Sequence, residues 1–407
     1  MVPAFADLRG HGGPVRSVAT EPSSHSALTG SFDGSAILWD VSSGEARQAL
    51  RFHAGQVNAT AFLSQTRFIT AGQDGLVALW TAAREQPDRV LDGHAGPVVA
   101  LAVAEDGRIA SASWDGTVRL WAGDGSPLSV LRGHAGNVNA VGFLPGGDVV
   151  SAGADGTVRV WASGRESGWV IFASPAAINA AAVLGGAVAL AGADGSIRLI
   201  DASGRNLGEA QLLDAPATAL AASGDGLLAA GGADGSVALL QAPSLRVIRS
   251  FAPAQGPVWA LAFLASPPRL LAGTSRGPVV TWDLASGARL LDGSDGGQAA
   301  AATTGGESAR VFAPCRACHS LGPDPGNRAG PTLYGLFGRR AGTANGYVYS
   351  AALGRRDLMW TAETVARLFE IGPAAFIPGT KMPDQKLVDE RDRADLIRFL
   401  EEATKPR

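Results

Sequence analysis

A short run near the C-terminus contains the residues best suited to chemistry, namely Cys315, Arg, Ala, Cys318 and His319. On a helical turn, two cysteines three residues apart lie on one face, and the imidazole follows directly. This spacing allows two thiols to add to the vinyl groups of a haem while the imidazole reaches the iron. The alternatives are a redox dithiol, which does not need the histidine, and a zinc site, for which the sequence has no second cysteine pair. The run therefore predicts one covalently bound haem c.

The region around this run differs in composition from the rest of the chain. All three lysines, all three tyrosines and both cysteines lie after residue 310. Residues 1–307 contain 19 basic and 26 acidic residues, a net charge of -7, whereas residues 308–407 contain 15 and 11, a net charge of +4. Residues 293–306 contain no apolar side chain larger than Ala, which is typical of a flexible linker. We therefore expect two domains, 1–292 and 307–407, joined by the linker 293–306.

A seven-fold repeat occupies the first of these domains. Each copy has a turn, usually Asp-Gly, followed six residues later by Trp or an aliphatic residue, and successive turns are 41, 41, 40, 39, 40 and 42 residues apart. Alternating polar and apolar residues predict half-buried strands, and the Asp-Gly pairs supply the positive φ angles of tight hairpin turns. Repeats of about 40 residues bury their sheets by stacking radially into a closed ring. The seven turn positions are Asp33, Asp74, Asp115, Asp155, Asp194, Asp234 and Arg276.

These repeats resemble the WD-repeat family of β-propellers. The resemblance rests on the turns, on four opening histidines and on two Trp-Asp endings: His11, His53, His94, His134, Trp39 and Trp282. It implies an all-β, seven-bladed propeller in which His, the turn Asp, a Ser or Thr and the Trp form a buried hydrogen-bonded chain. Four repeats have all of these residues, and this recurrence favours packing over a metal or catalytic site. Segments 4–8 and 288–291 are both candidates to complete the seventh blade.

The second domain resembles a class I cytochrome c, a small all-α fold. The resemblance rests on the cysteine-histidine run, on the stretch that starts Gly330-Pro-Thr-Leu-Tyr-Gly, on Phe376-Ile-Pro-Gly-Thr-Lys-Met and on a helix around residues 389–403. It implies that Met382 is the second axial ligand of the iron, opposite His319. Met359 is the only other methionine apart from Met1, and we expect it to pack beside Trp360.

Four further positions carry over from this resemblance. Pro331 matches the residue whose carbonyl accepts the imidazole proton, a contact that orients a ligating histidine. Arg339, Tyr349 and Trp360 match groups that hydrogen-bond or neutralise the haem propionates. Each also has an ordinary interpretation, as a surface arginine, a packed tyrosine and a core tryptophan.

The expected function follows from the iron ligands. A haem with His and Met ligands has no open coordination site, so we expect an electron carrier and not an enzyme. The propeller would act as a scaffold for an unidentified redox partner protein. The alternative is an oxidoreductase in which the propeller binds a substrate or second redox centre and the cytochrome domain accepts the electrons.

Charge and hydropathy exclude two other kinds of partner. The net charge of -3 argues against nucleic acid, whose binding proteins usually carry a basic excess. The longest apolar run, residues 258–265, is too short for a transmembrane helix. Haem attachment by this motif normally takes place outside the bacterial cytoplasm or in an intermembrane space, so we expect a periplasmic or otherwise exported protein. Residues 1–10 lack the basic start and apolar stretch of a signal peptide, and we therefore expect either that the start is misassigned or trimmed or that the sequence is a mature form with an added Met.

Overall fold

The computed structural model of the protein describes two parts of the chain. The first comprises residues 7–290 apart from 22, 24, 252, 255 and 276. The second comprises residues 312, 315, 319, 321, 330–344, 349, 353, 357–378, 380, 382, 386, 387 and 389–405. Cys318, Arg276 and the predicted linker 293–306 lie outside the described residues.

The first part is a seven-bladed β-propeller, as the repeat predicts. The described residues form 27 strands, and consecutive strands pair antiparallel within each blade. Blades one and two contain β1 (Val15–Thr20), β2 (Ser26–Ser31), β3 (Ala36–Asp40), β4 (Ala46–Leu50), β5 (Val57–Phe62), β6 (Arg67–Gly72), β7 (Val77–Thr81) and β8 (Arg89–Leu91). Blades three and four contain β9 (Val98–Val103), β10 (Ile109–Ser113), β11 (Thr117–Trp121), β12 (Pro127–Arg132), β13 (Val138–Phe143), β14 (Val149–Gly153), β15 (Thr157–Trp161) and β16 (Gly168–Ala173). Blades five and six contain β17 (Ile178–Leu184), β18 (Ala187–Gly192), β19 (Ser196–Asp201), β20 (Asn206–Gln211), β21 (Ala217–Ala222), β22 (Leu227–Gly232), β23 (Val237–Gln241) and β24 (Arg246–Phe251). Blade seven contains β25 (Val258–Leu264), β26 (Arg269–Thr274) and β27 (Val279–Asp283).

The turn between the second and third strands of a blade is a three-residue loop. In blade one, the N–H of Ser31 donates to the carbonyl of Ser35 across Phe32, Asp33 and Gly34. Gly34 has a φ of 78°, a left-handed conformation that glycine adopts at little cost. The positive φ expected from the Asp-Gly pair is supplied by the glycine, and Asp33 is not among the residues with positive φ. The aspartate instead accepts hydrogen bonds, at 2.9 Å from the Ser35 N–H.

The predicted His, Ser or Thr, Trp and Asp chain is present in blades one to four. In blade three, His94 Nε2 and the indole Nε1 of Trp121 both lie 2.9 Å from Ser111 Oγ. His94 Nδ1 lies 2.9 Å from Asp115 Oδ2. Since these groups are mostly buried, each hydrogen bond satisfies a polar atom that would otherwise be left unpaired in the core. The equivalent sets are His11, Thr29, Trp39 and Asp33; His53, Thr70, Trp80 and Asp74; His134, Ser151, Trp161 and Asp155.

Blade seven is completed from both candidate segments. Leu8 exchanges two backbone hydrogen bonds with Val279, of 3.1 and 3.0 Å. At the other end of β27, Trp282 bridges to Arg289. Asp7 joins the two segments, because its carboxylate accepts the Thr281 N–H at 3.1 Å and pairs with the Arg289 guanidinium. Desolvation raises the pKa of Asp7, although Arg289 opposes this shift. The ring is therefore closed jointly by residues on either side of the repeats.

The second part contains three helices with bounds that the described residues settle: α1 (Ala362–Ile371), α2 (Pro373–Phe376) and α3 (Glu390–Ala403). Thr361 caps α1 and accepts a hydrogen bond from the Thr364 N–H, and α1 ends at Gly372, which has a φ of 93°. Helix α1 buries Val365, Leu368 and Phe369, the spacing of one helix face. Helices α1 and α3 pack against each other. Among the described residues, no helix is long and apolar enough to cross a membrane.

Candidate functional site

Cys315 and His319 lie on one local turn beside an apolar core. The His319 N–H donates to the carbonyl of Cys315 at 3.0 Å, the i to i+4 bond of a helical turn. Cys315 is buried, and burial raises the pKa of its thiol to about 12. The thiol is therefore protonated in these surroundings at neutral pH. Cys318, the second predicted attachment residue, lies outside the described residues.

A backbone carbonyl orients the ring of His319. His319 Nδ1 lies 2.8 Å from the carbonyl oxygen of Pro331, so Nδ1 carries the proton and donates it. The ring packs so closely on Gly330 that a Cβ there would lie 2.5 Å from His319 Cε1, and only glycine leaves room. The predicted contact between Pro331 and His319 is thus present. It leaves Nε2 as the nitrogen with the lone pair that a metal requires.

The loop that contains Pro331 is attached to two other elements. The Gly335 N–H donates to the carbonyl of Thr404 at 2.7 Å, which ties the loop to the end of α3. The Gly338 N–H donates to the carbonyl of Trp360 at 2.9 Å, and the Trp360 N–H donates to the carbonyl of Arg339 at 3.0 Å. These backbone bonds fix the position of the carbonyl that orients His319.

Arg339 and Tyr349 are held mainly by backbone atoms. The Arg339 Nη1 and Nη2 atoms donate to the carbonyls of Tyr334 and Thr332, at 2.9 and 2.7 Å. Its Nε is buried and has no hydrogen-bond partner among the described residues. Tyr349 Oη accepts the Ala344 N–H at 3.2 Å. The Nε–H of Arg339 is therefore a buried donor that a further acceptor could use.

Met382 and Cys315 contact the same apolar cluster. The buried members of this cluster come from α1, α2, α3 and the segments around them: Phe312, Cys315, Leu336, Val365, Leu368, Phe369, Ile377, Leu396 and Leu400. Met382 and Trp360 are partly buried and pack against it. A thioether, a thiol and an indole thus share one apolar environment.

The expectation that Met359 packs beside Trp360 was wrong. The side chain of Met359 is 46% exposed, and its backbone bridges to Arg340 at the edge of the loop. Of the two methionines, Met382 is the one that packs against the apolar cluster.

Sequence reasoning missed the residues that support the site. The carbonyls of Thr332 and Tyr334 hold Arg339, and Thr404 anchors the loop. Backbone acceptors leave no trace in residue type, so no sequence signal identifies them. Gly330 is different, because its place directly before the predicted Pro331 was a usable signal for a close contact.

The fold and the site together define a protein with two parts, a WD-repeat propeller and a cytochrome-like segment. The family described as "WD domain, G-beta repeat" matches residues 4–40, 85–122 and 125–162. The propeller also resembles a solved structure, that of the computationally designed Ika8 protein. The two are 28% identical with a TM-score of 0.57, over 71% of this chain and 90% of that one.

The chain belongs to the cytochrome c family. It is 43% identical to cytochrome c of Stellaria longipes over 91 residues, which are 22% of this chain and 83% of the relative. It is 45% identical to cytochrome c of Arabidopsis thaliana over 91 residues, 22% of this chain and 80% of the relative. The match to cytochrome c2 of Blastochloris viridis is 43% identical over 103 residues, 25% of this chain and 80% of the relative.

Proposed function

We propose that the chain is an electron-transfer protein with one covalently bound haem c. The observation that carries this proposal is the 2.8 Å hydrogen bond between His319 and Pro331, on a turn whose buried Cys315 faces the cluster that also contacts Met382. Bound haem supplies an iron that accepts and releases one electron. Relatives named cytochrome c and cytochrome c2 support the same function.

The chain's own residues fit such a group. Cys315 and Cys318 would attach it, and His319, oriented by Pro331, would present Nε2 to the iron. Met382 would supply its thioether as the second ligand. With His319 and Met382 both bound to the iron, no position would remain for a substrate at the metal, which favours a carrier over an enzyme.

Three residues would contact the negatively charged edge of the group. Arg339 has a buried Nε without a partner among the described residues, which a propionate could satisfy. Tyr349 and Trp360 match propionate-binding groups in the resemblance to cytochrome c, and both would contribute hydrogen-bond donors. The arginine is the strongest of the three candidates, because it also supplies a compensating charge.

The Met382→Ala substitution tests the proposed ligand. It should remove the near-infrared absorption band of an iron to sulfur bond and lower the reduction potential, since a thioether favours reduced iron. Met359→Ala is the matched control, because Met359 is exposed and should leave both band and potential unchanged. A band that persists in Met382→Ala and is lost in Met359→Ala would contradict the assignment.

We propose that the propeller recruits or positions the redox partner, and that residues 1–292 and 307–407 act as separate domains joined by 293–306. A flexible linker of 14 residues has a mean span of roughly 20 Å. Such a tether would keep the haem domain near a partner docked on the propeller, at an effective concentration on the order of millimolar. WD repeats in the chain support the scaffold role.

The tether is tested by electron transfer to an identified redox protein. The intact chain is compared with a chain that starts at residue 300, at equal haem concentration and low partner concentration. We expect the intact chain to be faster, and the difference should vanish at high partner concentration. Equal rates at low concentration would exclude recruitment.

Haem attachment of this type also implies export to the periplasm or an equivalent compartment. Expression without an export signal should give mostly protein without covalent haem, whereas the same chain behind a signal peptide should give the haem protein. Abundant covalent haem protein in the cytoplasm would contradict this.

A further inference from the structure

A ring of seven equivalent residues lies at the start of the first strand of each blade. These first strands are called the inner strands here, because they contact one another from blade to blade: β1, β5, β9, β13, β17, β21 and β25. In each inner strand, the second residue is skipped by the register of the neighbouring strand, which marks a β-bulge. A bulge turns its side chain away from the direction that regular pairing would give it. The seven residues are Arg16, Asn58, Val99, Asn139, Asn179, Thr218 and Trp259.

Four of these residues connect neighbouring blades. Each donates a hydrogen bond to the carbonyl of the first residue in the next inner strand. Asn179 Nδ2, for example, lies 3.0 Å from the Ala217 carbonyl. The other three bonds, from Asn58, Asn139 and Thr218, measure 3.2, 2.9 and 2.6 Å. Polar residues at the bulges therefore hold blades together, and their hydrogen-bonding capacity is used within the ring.

The seam between blades seven and one breaks this rule. Arg16 does not reach forward to blade two; its Nη1 donates backward to the Trp259 carbonyl at 3.1 Å. Its guanidinium lies 5.8 Å from the centre of the Trp259 ring, and Phe32 lies 6.2 Å from the same ring. Within the described part of the chain, the buried indole Nε1 of Trp259 has no hydrogen-bond partner. Two members of the ring thus keep donors that the blades do not use.

Arg16 also lacks a counterion. Among the described residues, no carboxylate lies within 4.0 Å of its guanidinium, although the propeller region is acidic overall. Burial lowers the pKa of Arg16. The side chain nevertheless remains partly exposed, so a solute can reach it. A desolvated cation without a counterion is costly, and an anion that binds beside it recovers part of that cost.

We propose that this seam is a carboxylate-binding site, where Arg16 pairs with an acidic side chain of a recruited protein and Trp259 and Phe32 contact the apolar part of the same segment. Arginine suits this role because its planar guanidinium binds carboxylates with two parallel hydrogen bonds and stacks on aromatic rings.

The inference rests on the proposed recruiting role of the propeller, and its test contains no electron-transfer step. Phenylacetate is the probe, because it combines a carboxylate with an aromatic ring. Phenylacetamide has the same shape without the charge, and benzylammonium has the opposite charge. Binding to the full chain is followed by NMR, through ligand saturation transfer and the indole N–H resonance of Trp259, which Trp259→Phe identifies.

We expect phenylacetate to bind at least about tenfold more tightly than phenylacetamide, and Arg16→Gln to remove that preference. Arg132→Gln is the matched control, because it makes the same change of charge at an exposed residue of β12 and should change binding less than about twofold. Equal binding of acid and amide, or an unchanged affinity in Arg16→Gln, would overturn the proposal.

A salt series keeps the test valid if Arg16→Gln does not fold. In the unmodified chain, phenylacetate binding should weaken several-fold between about 20 and 200 mM NaCl, because added ions screen the charge pair. Salt-independent binding, or no saturable binding of phenylacetate at all, would also overturn the proposal. Neither result would affect the comparison that tests the tether.

Discussion

Blades one to four and blades five and six fill equivalent core positions with different chemistry. In blade three, Ser111 accepts hydrogen bonds at the position where blade five has Leu190 and blade six has Ala230. The residue near the end of the third strand changes in parallel. It is Trp121, a hydrogen-bond donor, in blade three and an aliphatic residue in blades five and six. Both solutions leave few unpaired polar atoms, the first by hydrogen bonding and the second by removing polar groups.

The comparison shows that the turn aspartate does not depend on the histidine. In blade five, Asp194 pairs with Arg198 at 2.9 Å, and Arg198 also pairs with Glu209 at 2.9 Å. In blade six, Asp234 accepts hydrogen bonds only within its own turn, from Ser236. The aspartate therefore shapes the turn in blades five and six as it does in blades one to four, and its second partner is exchangeable.

Blade seven is intermediate between these two solutions. It has the tryptophan, Trp282, but Ala272 occupies the position of the serine or threonine. The buried Trp282 Nε1 accordingly has no hydrogen-bond partner among the residues that the structure describes. This blade also has Arg276 at the turn position in place of the aspartate, so it keeps the tryptophan without the groups that hydrogen-bond in the other sets.

The largest effect is expected from removing a tryptophan of the hydrogen-bonded set. Trp121→Ala should lower the free energy of unfolding by about 3 to 5 kcal/mol, because it leaves a cavity and removes a donor from Ser111. Chemical denaturation measures this change. Trp114→Ala is the control, since Trp114 is 44% exposed and its loss should cost no more than about 0.5 kcal/mol. Similar costs for the two variants would mean that the buried set contributes little.

A second, smaller effect is a dependence on pH in the hydrogen-bonded blades. Burial disfavours the charge of Asp115, but hydrogen bonds from Thr117 and His94 outweigh it and hold the pKa of that carboxyl at about 2, below 3.8. A lowered pKa stabilises the fold above pH 3.8, and this contribution is lost as the pH falls towards 2. Asp115→Asn should therefore be less stable than the unmodified chain by about 1 to 3 kcal/mol at neutral pH.

The same difference should shrink as the pH falls through this range. Melting temperatures at a series of pH values measure it, with Asp225→Asn as the control because Asp225 is exposed and lies outside the hydrogen-bonded sets. A difference between Asp115→Asn and the unmodified chain that stays constant from pH 7 to pH 2 would contradict the assigned role of the carboxylate.

The smallest effect is a gain in blade seven. Ala272→Ser should supply the acceptor that Trp282 lacks and raise the free energy of unfolding by about 1 kcal/mol. Ala230→Ser, at the equivalent position of blade six, is the control and should destabilise, because no tryptophan is present to donate to the new hydroxyl. If both variants destabilise equally, the unpartnered indole is not what limits blade seven.

Sequence reasoning succeeded where the pattern is local or repeated. The 40-residue spacing predicted the blades, and His94 with Asp115 predicted a contact that the structure contains. Sequence reasoning failed where segments that are far apart along the chain meet. Leu8 and Val279 are 271 residues apart, and nothing in either residue type specifies their pairing. The bulges at Arg16 and Trp259 were also missed, because a bulge is defined by the neighbouring strand and not by its own residue.

The proposed site near His319 divides in the same way. The resemblance to class I cytochrome c, carried by the cysteine-histidine run and the stretch from Gly330, predicted the hydrogen bond between Pro331 and His319. Adjacency to Trp360 was a poor guide to Met359, because neighbouring residues in an extended segment point in opposite directions.

The closure of blade seven by Asp7 and Leu8 has a mechanical consequence. An open array of repeats frays from its ends, because a terminal repeat has only one neighbour. Once Leu8 pairs with Val279 and Asp7 joins Thr281 to Arg289, the ring has no terminal blade, and each blade must break two interfaces to open. A force on the chain at Leu290 is then shared by both interfaces and does not peel the first blade from the last. Hydrogen exchange in blade seven should accordingly be as slow as in blades one to four.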